Sequence, residues 1–175
     1  MIPAGVWVER IVRGIREPGR YGLRSRYLLS GWASRFGGGR SPMPTGFFLN
    51  VNNHCNLKCR MCDVGTDEGG SSFYQHMLEH GKDQPLSLEE WKRFVDQVAA
   101  LNPILFITTT EPLLYKDLIP LVAHASGRGL RCEVTTNGYL LERYAAPLGE
   151  AGLQGLTVSI DGDEETHDAV RGVKG

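Results

Sequence analysis

The chain has 175 residues, 41% of them hydrophobic and 22% charged, enough for one domain with a real core and without a low-complexity tract. A net charge of −1 offers no global attraction for nucleic acid, and no run approaches the ~20 apolar residues of a membrane-spanning helix. Four cysteines at uneven spacing, three of them within eight residues, do not resemble a disulfide framework; the expected setting is the reducing cytoplasm.

Residues 1–45 read as a basic helical arm, with eight Arg against two Glu, a balance of +6, whereas the remainder carries −7. Trp7, Val8, Ile11, Val12 and Ile15 recur at helical spacing, with Arg10, Arg13 and Arg16 on the other side, until Pro18-Gly19 breaks the pattern. A second, weaker helix holds Leu23, Tyr27, Leu28 and Trp32 before Gly37-Gly38-Gly39. Such apolar faces ordinarily pack against the body of a protein, which is the expectation here. The alternative is contact with a membrane surface or a partner.

From residue 46 the pattern changes. Four short runs, Phe47–Asn52, Ile104–Thr109, Arg131–Thr136 and Leu156–Ile160, read as strands. The clearest helix begins at Ser87-Leu88-Glu89-Glu90, a capping box flanked by Leu86 and Trp91 at the positions of a hydrophobic staple. It is expected to reach Leu101 and to bury Trp91, Phe94, Val95 and Val98. Further helices are predicted over Lys116–Ser126 and Leu140–Glu150, the second closed by Gly152. Strand–helix alternation predicts an α/β fold with a parallel sheet. The connection Asp63–Leu86 is long for a structureless loop, and Ser72–Glu79 is expected to supply a short helix within it.

Cys55-Asn56-Leu57-Lys58-Cys59-Arg60-Met61-Cys62 is the strongest chemical signal. Three thiolates on one short loop can each take one iron of a cubane cluster, leaving the fourth iron open to a small molecule. A zinc site would need a fourth ligand, for which His54 or Cys132 could be nominated, but the spacing does not match the usual paired zinc motifs. A ferredoxin-type cluster would need a fourth cysteine, and Cys132 lies far away on a predicted strand. Thiolate-rich ligation with an open position favours an iron–sulfur cluster.

The C-x3-C-x2-C loop just after the first strand is followed by Glu111-Pro112-Leu113-Leu114, Thr135-Thr136-Asn137-Gly138, Val158-Ser159-Ile160-Asp161-Gly162 and His167-Asp168-Ala169-Val170-Arg171-Gly172. In order and spacing these motifs resemble the radical S-adenosylmethionine superfamily over about residues 46–175, within it the molybdenum-cofactor biosynthesis and SPASM-type peptide maturase subgroup. The resemblance implies a parallel (β/α) partial barrel of the TIM type. Four of the usual six βα units are present in a truncated core domain, residues 46–175, preceded by the helical arm, residues 1–45. It also implies a [4Fe–4S] cluster on Cys55, Cys59 and Cys62. An electron, delivered by a donor such as a flavodoxin or ferredoxin, would cleave S-adenosylmethionine to a 5′-deoxyadenosyl radical that abstracts hydrogen from an unknown substrate.

By the same resemblance, Glu111 matches the acidic residue of a Gly-Gly-Glu-Pro motif and helps hold the amino group of S-adenosylmethionine. Thr109-Thr110 stand where two glycines are usual. Ser159 and Asp161 match fourth-strand positions that contact the ribose or nearby groups; two apart on a strand, they face one side. Asn137 is a further cofactor candidate, although Asn-Gly is equally a turn signal. Cys132 reads as a core residue. His54, His76 and His80 read as surface or loop residues, and Asp168 with Arg171 as a local ion pair. Independently of the family, parallel βα folds bind ligands at the carboxyl ends of their strands, where the cysteine loop, Glu111, Asn137 and Ser159/Asp161 all fall. Four strands leave one sheet edge unpaired, so the chain is expected to be a fragment or a truncated reading frame. The alternative to an enzyme domain is a non-catalytic iron–sulfur or zinc module, or a degenerate remnant.

Overall fold

A computed structural model of the chain describes residues 23–37, 44–66, 72, 74, 75, 79, 86–108 and 110–174. The first helix expected in the arm, together with His76, His80 and Thr109, lies outside these residues. Among the described residues, β1 (Gly46–Leu49), β2 (Ile104–Ile107), β3 (Arg131–Thr136) and β4 (Gly155–Val158) form one sheet in sequence order, every neighbouring pair parallel. Around them run the helices α1 (Leu23–Phe36), α2 (Asp63–Thr66), α3 (Leu88–Val98), α4 (Leu118–Gly127), α5 (Leu141–Glu150) and α6 (Glu164–Arg171). Strands laid down in chain order are the winding of a TIM-type barrel; a doubly wound sheet reverses its strand order.

The strands are short and dominated by β-branched, aromatic and leucine side chains, as buried parallel strands are. Alternation sorts them into two faces. Leu49, Ile107 and Val134 share one register row, and Leu105 and Cys132 a second, all on the face that the helices cover. Against it pack Trp91, Val95 and Val98 of α3, Leu118, Leu121, Val122 and Ala125 of α4, and Leu148 of α5. Removing each such side chain from water contributes about 1.5–3 kcal/mol. Phe48, Phe106 and Glu133 line the opposite face, where Phe48 stacks on Phe106 at 5.0 Å and is 78% exposed.

The capping box of α3 forms as predicted: Ser87 Oγ accepts from the Glu90 N–H, and the Glu90 carboxylate accepts from the Ser87 N–H at 2.9 Å. A hydrogen bond from the Ser87 hydroxyl at 2.6 Å, followed by that from the Ser87 N–H, holds the Glu90 carboxyl below the usual carboxylate range. The last turn of the predicted helix is a 3₁₀ turn, Ala99–Leu101, closed by Asn102 in the left-handed region. Ser72, Tyr74, Gln75 and Glu79 are helical, in keeping with the short helix expected there.

Three expectations need correction. The first strand ends at Leu49 rather than Asn52, because Asn50 and Asn53 turn to bond each other and the chain leaves the sheet. The second ends at Ile107, and the fourth spans Gly155–Val158 rather than Leu156–Ile160. Of the apolar stripe expected on α1, Leu28 and Trp32 are 75% and 53% exposed, as is Phe36 at 65%, while the side chains of Leu23 and Tyr27 lie outside the described residues. Trp32 and Phe36 lean on each other, ring centroids 5.4 Å apart.

Leu105 sits in the middle of β2 with no exposed surface. Leu105→Ala is expected to lower stability by about 2–5 kcal/mol, read as an earlier midpoint in guanidinium unfolding.

Candidate functional site

The site is built where β1, β2, β3 and β4 end. Beyond β1, Val51 and Asn52 are buried, and Asn52 uses its whole amide. Its Oδ1 accepts from the His54 N–H at 2.7 Å, and its Nδ2 donates to the Glu111 carbonyl at 3.0 Å. The Glu111 N–H donates in return to the His54 carbonyl at 3.1 Å. The chain entering the cysteine loop is thereby tied to the chain leaving β2.

Thr110 makes the third tie. Its φ is +54°, left-handed backbone that a β-branched residue seldom adopts. Its hydroxyl donates to the Asn52 carbonyl at 2.8 Å and lies 3.1 Å from Asn52 Oδ1. Where the resemblance implies a glycine, this chain holds a glycine-like backbone with a threonine.

Glu111 is the hub. Its side chain is fully buried, yet no lysine or arginine pairs with it among the described residues. Three donors converge on it instead. Oε1 accepts from the Leu113 N–H at 2.9 Å and the Thr136 hydroxyl at 2.8 Å, and Oε2 accepts from the Asn137 N–H at 2.8 Å. The first caps the 3₁₀ turn Pro112–Leu114; the other two fix the end of β3. Asn137, so placed, donates from Nδ2 to Asn56 Oδ1 at 2.9 Å and reaches Cys55 Sγ at 3.9 Å.

The cysteine loop is irregular, and Cys55, Cys59 and Cys62 are exposed, buried and half-buried, none in a disulfide. Leu57 is buried beneath it, and the Cys62 N–H bonds the Cys59 carbonyl at 3.0 Å. Partial burial of its sulfur raises the Cys55 thiol above its ordinary pKa; a backbone hydrogen bond from Leu57 opposes this, while Glu111 and Cys59 push further up. Cys132, the fourth cysteine, lies in the core as expected, and burial pushes its thiol up to about 12. His54 is exposed.

On the far side of the loop stands α6. Asp163 caps its start, accepting from the Thr166 N–H at 3.0 Å, and Gly172 closes it at φ +74°. The Arg60 N–H donates to the Val170 carbonyl at 2.9 Å, so the helix end touches the loop directly. Arg171 is buried, 8% exposed, and its guanidinium forks onto Asp161: Nε to Oδ2 at 2.6 Å and Nη2 to Oδ1 at 3.2 Å. Nη2 also reaches the Ser159 carbonyl at 3.4 Å, and Nη1 reaches Cys59 Sγ at 3.8 Å. Desolvation works against this charge, but Asp161 more than offsets it, so the Arg171 pKa is raised. The expected pairing of Arg171 with Asp168 is therefore wrong: Arg171 turns inward to Asp161 at the end of β4. Neither the burial of Arg171 nor His167, 3.6 Å from Asp161, was visible in the sequence; the ten-residue spacing of Asp161 and Arg171 carries no local periodicity.

Between these anchors lies a cleft of about 390 Å³ whose lining includes Leu57, Asn137, Tyr139, Ser159, Ile160 and His167. The structure thus brings the cysteine loop, Asn137 and Ser159 to one opening. Asp161 and Glu111 are placed behind it, their oxygens engaged by protein donors. Among the described residues no three His, Cys, Asp or Glu side chains are gathered to hold a metal ion. A single zinc ion draws its ligands together, whereas a cubane takes one thiolate at each of three separate irons. Three thiols outside any disulfide, spread over one loop, fit the cubane.

The Radical SAM superfamily model matches residues 49–175. The chain is 33% identical over 175 residues to the Fe-coproporphyrin III synthase of Methanosarcina barkeri, covering 97% of this chain and 40% of that protein. It is 35% identical over 130 residues to the AdoMet-dependent heme synthase of Oleidesulfovibrio alaskensis, covering 71% of this chain and 30% of the relative. Among solved structures, Streptococcus suis SuiB bound to precursor peptide SuiA superposes with a TM-score of 0.58 at 18% identity, over 86% of this chain and 31% of that one. The last likeness is one of fold. The chain spans well under half the length of these relatives.

Glu111→Gln would turn an amide NH₂ toward one of three donors, and is expected to cost about 1–3 kcal/mol in chemical denaturation. In the native, metal-free protein Cys132 is expected to resist iodoacetamide at neutral pH, because the buried thiol stays protonated. Exposed Cys55 is expected to be carboxamidomethylated before Cys132, as peptide mass spectrometry after timed quenching would show.

Proposed function

The chain belongs to the radical SAM superfamily, and on that premise we propose that it is the part of an enzyme that generates a 5′-deoxyadenosyl radical from S-adenosylmethionine. The family's cofactors are a [4Fe–4S] cluster and S-adenosylmethionine. When bound, the cluster supplies the electron that breaks the sulfonium bond.

The observation that carries the reading is the C-x3-C-x2-C loop, whose Leu57 lines the same cleft as Asn137 and Ser159, set at the carboxyl ends of parallel strands. Cys55, Cys59 and Cys62 would hold the cluster. Asn137 and Ser159, which line the cleft, would contact S-adenosylmethionine, and Asp161 would contribute through the groups it orients. Glu111 serves chiefly by fixing Asn137 and the loop; Oε2 accepts one bond where Oε1 accepts two, so it is the oxygen with capacity for an ammonium. Leu57 and Tyr139 contribute apolar lining that helps keep water from a radical.

In this reading residues 46–175 form the core and residues 1–45 a basic arm. A small electron-transfer protein such as a flavodoxin or ferredoxin is the expected donor, in the cytoplasm. Among the described residues no helix is long and apolar enough to cross a membrane. The relatives named above are, by name, an Fe-coproporphyrin III synthase and an AdoMet-dependent heme synthase, and SuiB is bound to a precursor peptide; the substrate of this chain is a separate question.

Anaerobic reconstitution with iron and sulfide is expected to give a reduced cluster whose spin-resonance signal changes on adding S-adenosylmethionine, with 5′-deoxyadenosine released under dithionite. Cys59→Ala is expected to abolish both. Tight zinc binding in place of iron, or a cluster indifferent to S-adenosylmethionine, would favour a non-catalytic metal module instead.

A further inference from the structure

We infer that Arg171 is a positioning residue for the metal centre, setting the reduction potential of the cluster through Cys59 while Asp161 tempers its charge. The inference rests on the cluster reading above.

Three observations support it. A guanidinium only 8% exposed is costly to bury unless its donors are used, and here Nε, Nη1 and Nη2 all have partners. One of them is a sulfur that the cluster would claim, Cys59 Sγ at 3.8 Å, and Cys59 is the most deeply buried of the three loop cysteines. The helix carrying Arg171 is also fastened to the same stretch of loop by its backbone: the Arg60 N–H bonds the Val170 carbonyl, and a Cβ on Gly172 would lie 3.4 Å from the Lys58 carbonyl oxygen. Helix end, guanidinium and ligand sulfur are therefore held as one unit.

Reduction adds negative charge to a cluster, and hydrogen bonds to its sulfurs and nearby positive charge favour the reduced form. Arg171 supplies both at Cys59. Asp161 acts in the opposite sense, because its carboxylate partly neutralises the guanidinium that it orients. The pair thus predicts shifts of opposite sign. Arg171→Gln removes a positive charge and takes the guanidinium from the Asp161 carboxylate, so the potential moves to more negative values. Asp161→Asn keeps an acceptor for the guanidinium but deletes the negative charge, so it moves to less negative values.

The test is a redox titration of the reconstituted chain and the two variants at one pH, followed by the spin-resonance signal of the reduced cluster, with iron and sulfide content measured in parallel. Opposite shifts at unchanged cluster content support the inference. An unmoved potential in cluster-replete Arg171→Gln, or a shift of both variants in one direction, overturns it, since a merely structural latch would do the latter. If Arg171→Gln fails to fold, Asp161→Asn decides alone: a potential at or below that of the parent protein overturns the inference. A parent protein that assembles no cluster at all defeats the cluster reading itself, a different result from a cluster whose potential ignores Arg171.

Discussion

A buried carboxylate held by three hydrogen-bond donors keeps the end of this sheet together. Glu111 has no exposed surface, and its oxygens take hydrogen bonds from Leu113, Thr136 and Asn137. Burying such a group without partners would cost several kcal/mol, so the three donors are a condition of the fold rather than an ornament to it. Satisfying them fixes where β3 ends relative to β2. The exchange between Glu111 backbone groups, Asn52 and His54 fixes the exit from β1 as well. The cysteine loop begins at the next residue, so the position of Cys55 depends on the hydrogen bonds of Glu111 and of the Asn137 it orients.

The other end of the loop is held by the opposite charge. Arg171 is a buried cation fed by acceptors, Asp161 and the Ser159 carbonyl, much as Glu111 is a buried anion fed by donors. Each delivers one donor to a loop sulfur: Asn137, oriented by Glu111, reaches Cys55, and Arg171 reaches Cys59. The loop itself has little regular structure of its own. Its shape is imposed from β3 on one side and from α6 on the other, which is how a rigid scaffold supports a functional loop.

The elements that were readable in the sequence are those set by local pattern. The capping box at Ser87 and Glu90, the four apolar runs and the glycine stops are determined within a few residues, and they stand within a turn of where they were expected. The cysteine triplet was legible because free structural cysteines are usually single buried residues, not three close together on a polar loop. The pairing of Arg171 was not, because Asp168 lies at helical spacing while Asp161 arrives only through the turn between β4 and α6. Nor was the burial of Glu111, whose donors Thr136 and Asn137 lie 25 and 26 residues away. The face of α1 illustrates the same boundary: periodicity identifies an apolar stripe at Leu28 and Trp32 but not whether anything covers it.

Thr110 carries a consequence for how this end of the sheet responds to a ligand. A glycine at a left-handed position wanders in the unfolded chain and must be ordered when the loop forms; a threonine samples less to begin with. Here the strain of φ +54° is set against a hydroxyl stitched to Asn52, just past the neighbouring strand β1. The strand tip is therefore stiff before anything arrives. Thr110 also carries a methyl group where a glycine would leave bare backbone, so the same turn is bulkier as well as set in shape.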